Sequence, residues 1–317
     1  MVNYSIIIPH KNSPELLQYC LDSIPVRDDV QVIVVDDDSD ADKVDFEYFP
    51  RWRGNHYEFY LTKEGKGAGY ARNVGLEHVC GKWVLFVDAD DFMLPTISEL
   101  FDEEKDTEAD IVFFRPKAVM LEDRMTPSNR AHYIEVLIDS FLKNGDETPL
   151  RCGWESPVSK FIKFDLIQNH RIRFDEIKYA NDVLFMVGSG VLAKTIEYRD
   201  KPFYCITESG NSLASNFMKK PGELRVRTDA FFRSGKVVVE NGYPIDEKRA
   251  FAYLRMLFAD DREAFFVNFN RMQEMGYNKK TLVRELFKGN NKTSRMKRSA
   301  YIFFVTIWRK RSAFKKE

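Results

Sequence analysis

Short apolar runs closed by turn residues alternate with stretches of helical spacing through the first part of the chain. Residues 4–8, 30–35, 59–61, 83–87 and 110–114 read as strands. Most of these runs are too continuously apolar to have a solvated face, which predicts strands covered on both sides. Ser13-Pro14-Glu15 reads as a helix start, with Ser as N-cap and Pro at the first helical position, and Leu17, Cys20, Leu21 and Ile24 follow at helical spacing. Further helices are expected at 70–79 and 95–104. Strands alternating with helices imply right-handed βαβ units, hence an α/β fold with a mostly parallel, Rossmann-like sheet flanked by helices.

Beyond residue 115 the pattern is less regular. Residues 122–130 read as a loop, 132–143 and 182–193 as helices, and 160–164, 196–198 and 203–207 as strands. From 221 onward the chain reads as all-helical, with segments near 223–240, 247–258, 260–275 and 279–288. No internal repeat or low-complexity linker interrupts it.

The 317 residues are 44% hydrophobic and 31% charged, which supports a packed core and excludes a disordered chain. A net charge of −1 predicts neither a nucleic-acid nor a membrane partner for the molecule as a whole. The charge is uneven, however: between 288 and 316 Lys and Arg recur, with no acid before Glu317. Cys20, Cys80, Cys152 and Cys205 form no C-x-x-C pair, so a reducing cytoplasm is expected rather than zinc or a redox pair. The N-terminus enters a strand directly, without the features of a signal peptide, and no apolar run approaches the roughly 20 residues of a membrane span.

Polar residues cluster at three successive strand ends: 36–40, 65–69 and 88–91. Asp88-Ala89-Asp90-Asp91 carries the most chemistry. Carboxylates crowded at the carboxyl end of a buried strand repel unless a cation neutralises them, and that end is where open α/β sheets bind ligands. Asp-x-Asp there suggests a divalent metal completed by a ligand's phosphates. Asp90 and Asp91 could instead cap the next helix, and the two roles can coexist. Asp36-Asp37-Asp38-Ser39 could supply a carboxylate for the N3–H of a uracil ring, or be a solvated turn. The glycines of 65–69 match neither a Walker loop nor a dinucleotide fingerprint, but they allow close backbone approach to a ligand. Arg72 could pair with a base or phosphate beside Asn73, or form a surface ion pair.

Together these residues resemble the inverting family-two glycosyltransferases of the nucleotide-diphospho-sugar transferase fold. Ser5-Ile6-Ile7-Ile8-Pro9-His10-Lys11-Asn12 is similar to the "S-V-I-I-P-x-Y-N" opening, and Val35-Asp36-Asp37-Asp38-Ser39 to "V-D-D-G-S", with Asp38 in place of Gly. Gly69 to Leu76 resembles "A-R-N-x-G-L", and 87–91 the metal motif. Trp154 with Ser159-Lys160-Phe161, then 173–185, and finally Asn211-Ser212-Leu213-Ala214-Ser215 resemble later motifs of capsule and exopolysaccharide members. The resemblance covers about 1–216. It implies a catalytic domain over 1–216, with a nucleotide-binding half (1–115) and an acceptor-binding half (116–216). A helical extension (217–288) and a basic amphipathic tail (289–317) would follow.

The resemblance also implies roles. Pro9, Asp37, Arg72 and Asp88 would bind the nucleotide, with Asp37 on uracil and Asp88 on the ribose. Asp90 would hold Mg²⁺ or Mn²⁺, and Asp182 would be the catalytic base. The family's Glu before the base is Asn181 here. Asp182 could otherwise serve only as a helix N-cap. Trp154 is a candidate acceptor-sugar platform, or a core residue. The expected reaction moves a sugar from a UDP-sugar donor to a glycan hydroxyl, the acceptor being carried on lipid, in capsule, exopolysaccharide or O-antigen synthesis. A catalytically silent sugar-nucleotide-binding or scaffold subunit is the alternative. In the tail, the apolar stretch 301–308, flanked by Lys297-Arg298 and Arg309-Lys310-Arg311, suits an interfacial helix on the anionic inner face of the cell membrane, or a terminal helix docked on the protein.

Overall fold

The computed structural model describes residues 1–45, 57–209, 222–286 and 288. Two compact units divide the chain, Met1–Ile245 and Asp246 onward.

The first unit contains β1 (Tyr4–His10), α1 (Pro14–Asp22), β2 (Val30–Asp37), β3 (Tyr57–Thr62), α2 (Ala68–Leu76), β4 (Trp83–Phe86), β5 (Phe92–Met93), α3 (Ile97–Glu104), β6 (Ile111–Phe114) and β7 (Lys117–Met120). Then come α4 (His132–Asn144), a π-helical turn (Pro149–Gly153), β8 (Lys160–Lys163), α5 (Phe164–His170), α6 (Val183–Leu192), β9 (Ile196–Arg199), β10 (Tyr204–Glu208) and α7 (Glu223–Glu240). A seven-stranded sheet runs β3-β2-β1-β4-β8-β6-β9. Its β3-β2-β1-β4 half is parallel throughout, and β8 runs antiparallel to both neighbours. A smaller sheet, β5-β10-β7, lies apart from it.

The continuous apolar runs are explained by a core on each face. Along β1, Tyr4, Ile6 and Ile8 join one core with Leu17 and Leu21 of α1 and Leu100 and Phe101 of α3. Ile7 points the other way, into a core with Ala71 of α2, Ile134 and Ile138 of α4, and Phe185 of α6. Alternation along the strand thus feeds two apolar layers, as a sheet sandwiched by helices requires. Because β1, β2 and β4 are parallel neighbours, their carboxyl ends meet at one edge, as the three polar clusters led us to expect. The segment expected to be helical from 217 contributes α7 to this unit: Ala230 and Val238 pack with Val183, Val187 and Val191 of α6.

The second unit comprises α8 (Glu247–Asp260), α9 (Arg262–Glu274) and α10 (Lys279–Leu286). Asp246 and Asp261 cap the first two of these through the backbone N–H groups of Arg249 and Ala264. The expected motif at 211–215 and the tail at 289–317 lie outside the described residues. No helix among those described is long and apolar enough to cross a membrane.

Candidate active site

At the end of β1, His10 Nδ1 lies 2.7 Å from Asp36 Oδ2. The backbone N–H of Ser13 donates to His10 Nε2, so Nδ1 carries the proton and donates to Asp36. Asp36 also accepts from the Ser39 N–H and hydroxyl, at 2.8 and 2.6 Å. Burial opposes ionisation of Asp36, but these bonds from His10 and Ser39 hold its carboxyl below the usual range. Asp36 therefore shapes the turn. Asp37 accepts from the backbone N–H groups of Lys66 at 3.0 Å and Gly67 at 2.7 Å, which ties the glycine loop to β2. Gly67 has φ +96°, a conformation that favours glycine. Each Asp37 oxygen keeps a second lone pair for a ligand.

Asp88, Asp90 and Asp91 each offer a carboxylate oxygen, and the three oxygens lie within 4.8 Å of one another. Asp91 is buried. It accepts from the Tyr204 hydroxyl at 2.7 Å and the Thr207 N–H at 2.7 Å, both on β10. Burial, then the charges of Asp90 and Asp88, push its carboxyl well up. Asp90 is exposed as a residue, yet desolvation of its carboxyl, then the charge of Asp88, pushes it up to about 6. Three crowded hard oxygen donors fit a divalent cation such as Mg²⁺ or Mn²⁺.

Arg72 of α2 is buried, not a surface residue. It donates from Nη2 to Asp88 Oδ1 at 2.6 Å and from Nη1 to Asn181 Oδ1 at 3.0 Å. Its Nε is buried with no hydrogen-bond partner among the described residues. One guanidinium thus joins the carboxylate cluster to the loop that carries Asp182.

That loop, 174–182, is clamped from several sides. Asn73 exchanges two hydrogen bonds with the backbone of Phe174, so it serves the loop rather than a ligand. Gly69 packs so closely that an added Cβ would fall 2.1 Å from the carbonyl oxygen of Asp175. Arg233 of α7 grips Asp175 with two bonds, at 3.1 and 2.7 Å. Asp182 occupies the N-cap position of α6, but its side chain makes no cap hydrogen bond. Burial pushes its carboxyl up to about 6, with Arg72 opposing. The cap-only alternative therefore lacks its defining bond.

Trp154 requires a correction. It is 1% exposed, with its ring 5.4 Å from that of Phe113, so it has no free face for a sugar. Lys160 Nζ sits 4.5 Å from the Trp154 ring centroid and donates to the carbonyls of Trp154 and Ser156. Burial drives this ammonium well below its ordinary pKa, and Asp182 opposes the shift. The pair is the foundation of the 154–156 loop. Tyr204, Thr207 and Arg233 were not anticipated from sequence. Their partners lie far away in the chain, and no local pattern signals them.

The glycosyl transferase family 2 model matches residues 5–170, from the second residue of β1 to the end of α5. The chain belongs to glycosyltransferase family 2. It is 22% identical over 260 residues to EpsH of Bacillus subtilis (strain 168), whose own glycosyltransferase assignment is provisional, covering 77% of this chain and 71% of EpsH. It is 27% identical to the glycosyltransferase GlyA of Streptococcus pneumoniae serotype 4 over 80% of this chain, but spans only 37% of that relative's length. Against the poly(ribitol-phosphate) β-N-acetylglucosaminyltransferase TarS of Staphylococcus aureus (strain MW2) it is 27% identical, over 69% of this chain and 38% of TarS. The crystal structure of TarS residues 1–349 with UDP-GlcNAc superposes with a TM-score of 0.60 at 19% identity, over 90% of this chain and 82% of that one, which supports the fold.

Proposed function

We propose that this family 2 member is a metal-dependent, inverting glycosyltransferase that moves a sugar from a UDP-sugar to a glycan hydroxyl. The observation that carries the reading is Asp182. It is a carboxylate not spent on capping, raised to about 6, and tied through Asn181 and Arg72 to the three-carboxylate cluster. An acceptor hydroxyl is a poor nucleophile until a positioned base takes its proton during attack. Asp182 fills that role. One base opposite the leaving diphosphate gives single displacement with inversion. Asp90, with Asp88 and Asp91 within reach, would hold Mg²⁺ or Mn²⁺, which supplies Lewis-acid stabilisation of the departing diphosphate, and Asp88 would also meet the donor ribose. Arg72 holds Asp88 in place. Pro9 and Asp37 flank the uracil, Asp37 using lone pairs not committed to the glycine loop. A UDP donor is favoured because the structurally similar TarS is seen with UDP-GlcNAc.

We take the acceptor to be a growing glycan carried on lipid, in bacterial surface-polysaccharide synthesis; among the relatives, TarS is designated a transferase acting on poly(ribitol-phosphate). The protein works in the cytoplasm at the inner membrane face, drawn there by the basic tail. The silent-subunit alternative rested on Asn181, and that residue retains the hydrogen bond to Arg72. The test is UDP release from a panel of UDP-, GDP- and dTDP-sugars, with and without a lipid-linked acceptor mixture. Acceptor-stimulated UDP release supports the proposal; no release from any donor overturns it.

A further inference from the structure

The carboxylate cluster is gripped by a strand that lies far along the chain from it. Asp91 leads directly into β5, and β5 pairs antiparallel with β10, Tyr204 opposite Met93 and Cys205 opposite Phe92. That pairing brings β10 against the 88–91 turn. The Tyr204 hydroxyl accepts from the Asp88 backbone N–H at 3.1 Å and donates to Asp91 Oδ2 at 2.7 Å. One buried oxygen thus joins the first and last residues of the turn. Thr207 adds two more bonds. Its N–H donates to Asp91 Oδ1 at 2.7 Å, and its hydroxyl donates to the Asp90 carbonyl at 2.9 Å. Both Asp91 oxygens are bonded to β10, whereas Thr207 holds Asp90 by its backbone and not by its carboxylate.

The Asp88 side chain is fixed by a separate element, since Arg72 Nη2 of α2 donates to its Oδ1 at 2.6 Å. Three carboxylates whose oxygens lie within 4.8 Å of one another repel, and a turn without support would let them splay apart. Bonds that fix the turn in the folded protein oppose that splaying before a cation arrives, which is the preorganisation an ion site requires.

We propose that Tyr204 and Thr207 are positioning residues of the metal site, with β10 setting the 88–91 turn so that its carboxylates converge on one cation. Neither residue acts as a ligand, because their hydroxyls are directed to Asp91 and to the Asp90 carbonyl. This role rests on the reading of the cluster as a metal site.

The experiment compares full-length wild type with Tyr204→Phe, Thr207→Val and Thr207→Ser. Mn²⁺ binding in the presence of UDP is read from the electron paramagnetic resonance signal of free Mn²⁺, and stability from denaturant titration in EDTA. Tyr204→Phe keeps the buried ring and removes the shared oxygen. Thr207→Val keeps the branched shape and the N–H bond to Asp91, and removes only the hydroxyl. Each should weaken Mn²⁺ binding about tenfold or more, the scale of losing an outer-shell partner. Thr207→Ser, which keeps the hydroxyl, should bind Mn²⁺ like wild type, and the Val and Ser pair decides the matter even where Tyr204→Phe fails to fold. Unchanged Mn²⁺ affinity in Thr207→Val overturns the proposal whatever its stability, because the strand is then purely structural. An equal loss of affinity in Thr207→Ser overturns it too. Wild type that binds no Mn²⁺ with UDP overturns the metal reading itself, so the two failures are distinct.

Discussion

Asn181 Oδ1 accepts a hydrogen bond from Arg72 Nη1 at 3.0 Å, where the family pattern carries Glu. An amide at this position keeps the acceptor oxygen and removes the charge. Arg72 spends its other terminal nitrogen on Asp88, so Asn181 helps set the spacing between base loop and metal cluster. Asn181→Ala should cut transfer about tenfold, the scale of one hydrogen bond to a charged group. Asn181→Glu should retain at least wild-type activity. Steady-state kinetics on both variants checks this, and equal losses in both would show that the Arg72 contact is not what matters.

The raised pKa of Asp182 sets a pH dependence. A base must be ionised to act, and burial pushes this carboxyl up to about 6. At saturating metal, kcat/KM should rise with pH, bend near 6 and level off above it. Asp182→Asn should lower turnover by about 100-fold or more and abolish that bend, with UDP affinity nearly unchanged. A pH profile identical in the variant would place the base elsewhere.

For the carboxylate cluster, Asp90→Ala removes one of the three oxygen donors and leaves Asp91 bonded to Tyr204 and Thr207. Transfer and Mn²⁺-dependent UDP binding should be lost while the melting temperature stays close to wild type. Calorimetry with and without EDTA reads the metal dependence directly; full wild-type turnover in EDTA would refute it.

Gly69→Ala tests the closeness of α2 to the base loop. The new Cβ would lie 2.1 Å from Asp175 O and 3.0 Å from Asn181 Cβ, and backbone cannot yield as a flexible side chain does. We expect a loss of about 1–3 kcal/mol by denaturant titration, the cost of overpacking, with activity lost disproportionately because the loop carries Asp182.

The tail is tested by deletion. Removing residues 290–317 should abolish co-flotation with anionic vesicles and spare transfer to a soluble acceptor. Binding of the full chain should weaken with salt as surface charge is screened. Full-length protein that stays unbound at low salt would favour a docked terminal helix.

β1, β2 and β4 of the parallel half were legible because they are buried on both faces and so read as unbroken apolar runs, whereas the edge strand β3 is only partly buried. β5, β7, α5 and the π-helical turn were missed. They are short, and their pairing or packing is decided by distant segments. At the site, carboxylates and glycines at strand ends announced themselves through clustering. Trp154 did not, since an aromatic in a sequence does not reveal which of its faces is covered. The engagement of Asp37 with the Lys66 and Gly67 amides was equally hidden, because it depends on where β2 meets a loop nearly thirty residues on.

The grip of Arg233 on Asp175 has a practical consequence. Every recognisable motif residue lies before 217, so a fragment cut there would look complete on paper. It would lack the cation that steadies the segment bearing Asp182, and the Ala230 and Val238 side chains that pack on α6. The smallest piece worth expressing therefore ends no earlier than Ile245, where the first compact unit closes. Signature residues mark where the chemistry happens, but the support for that chemistry extends past them along the chain.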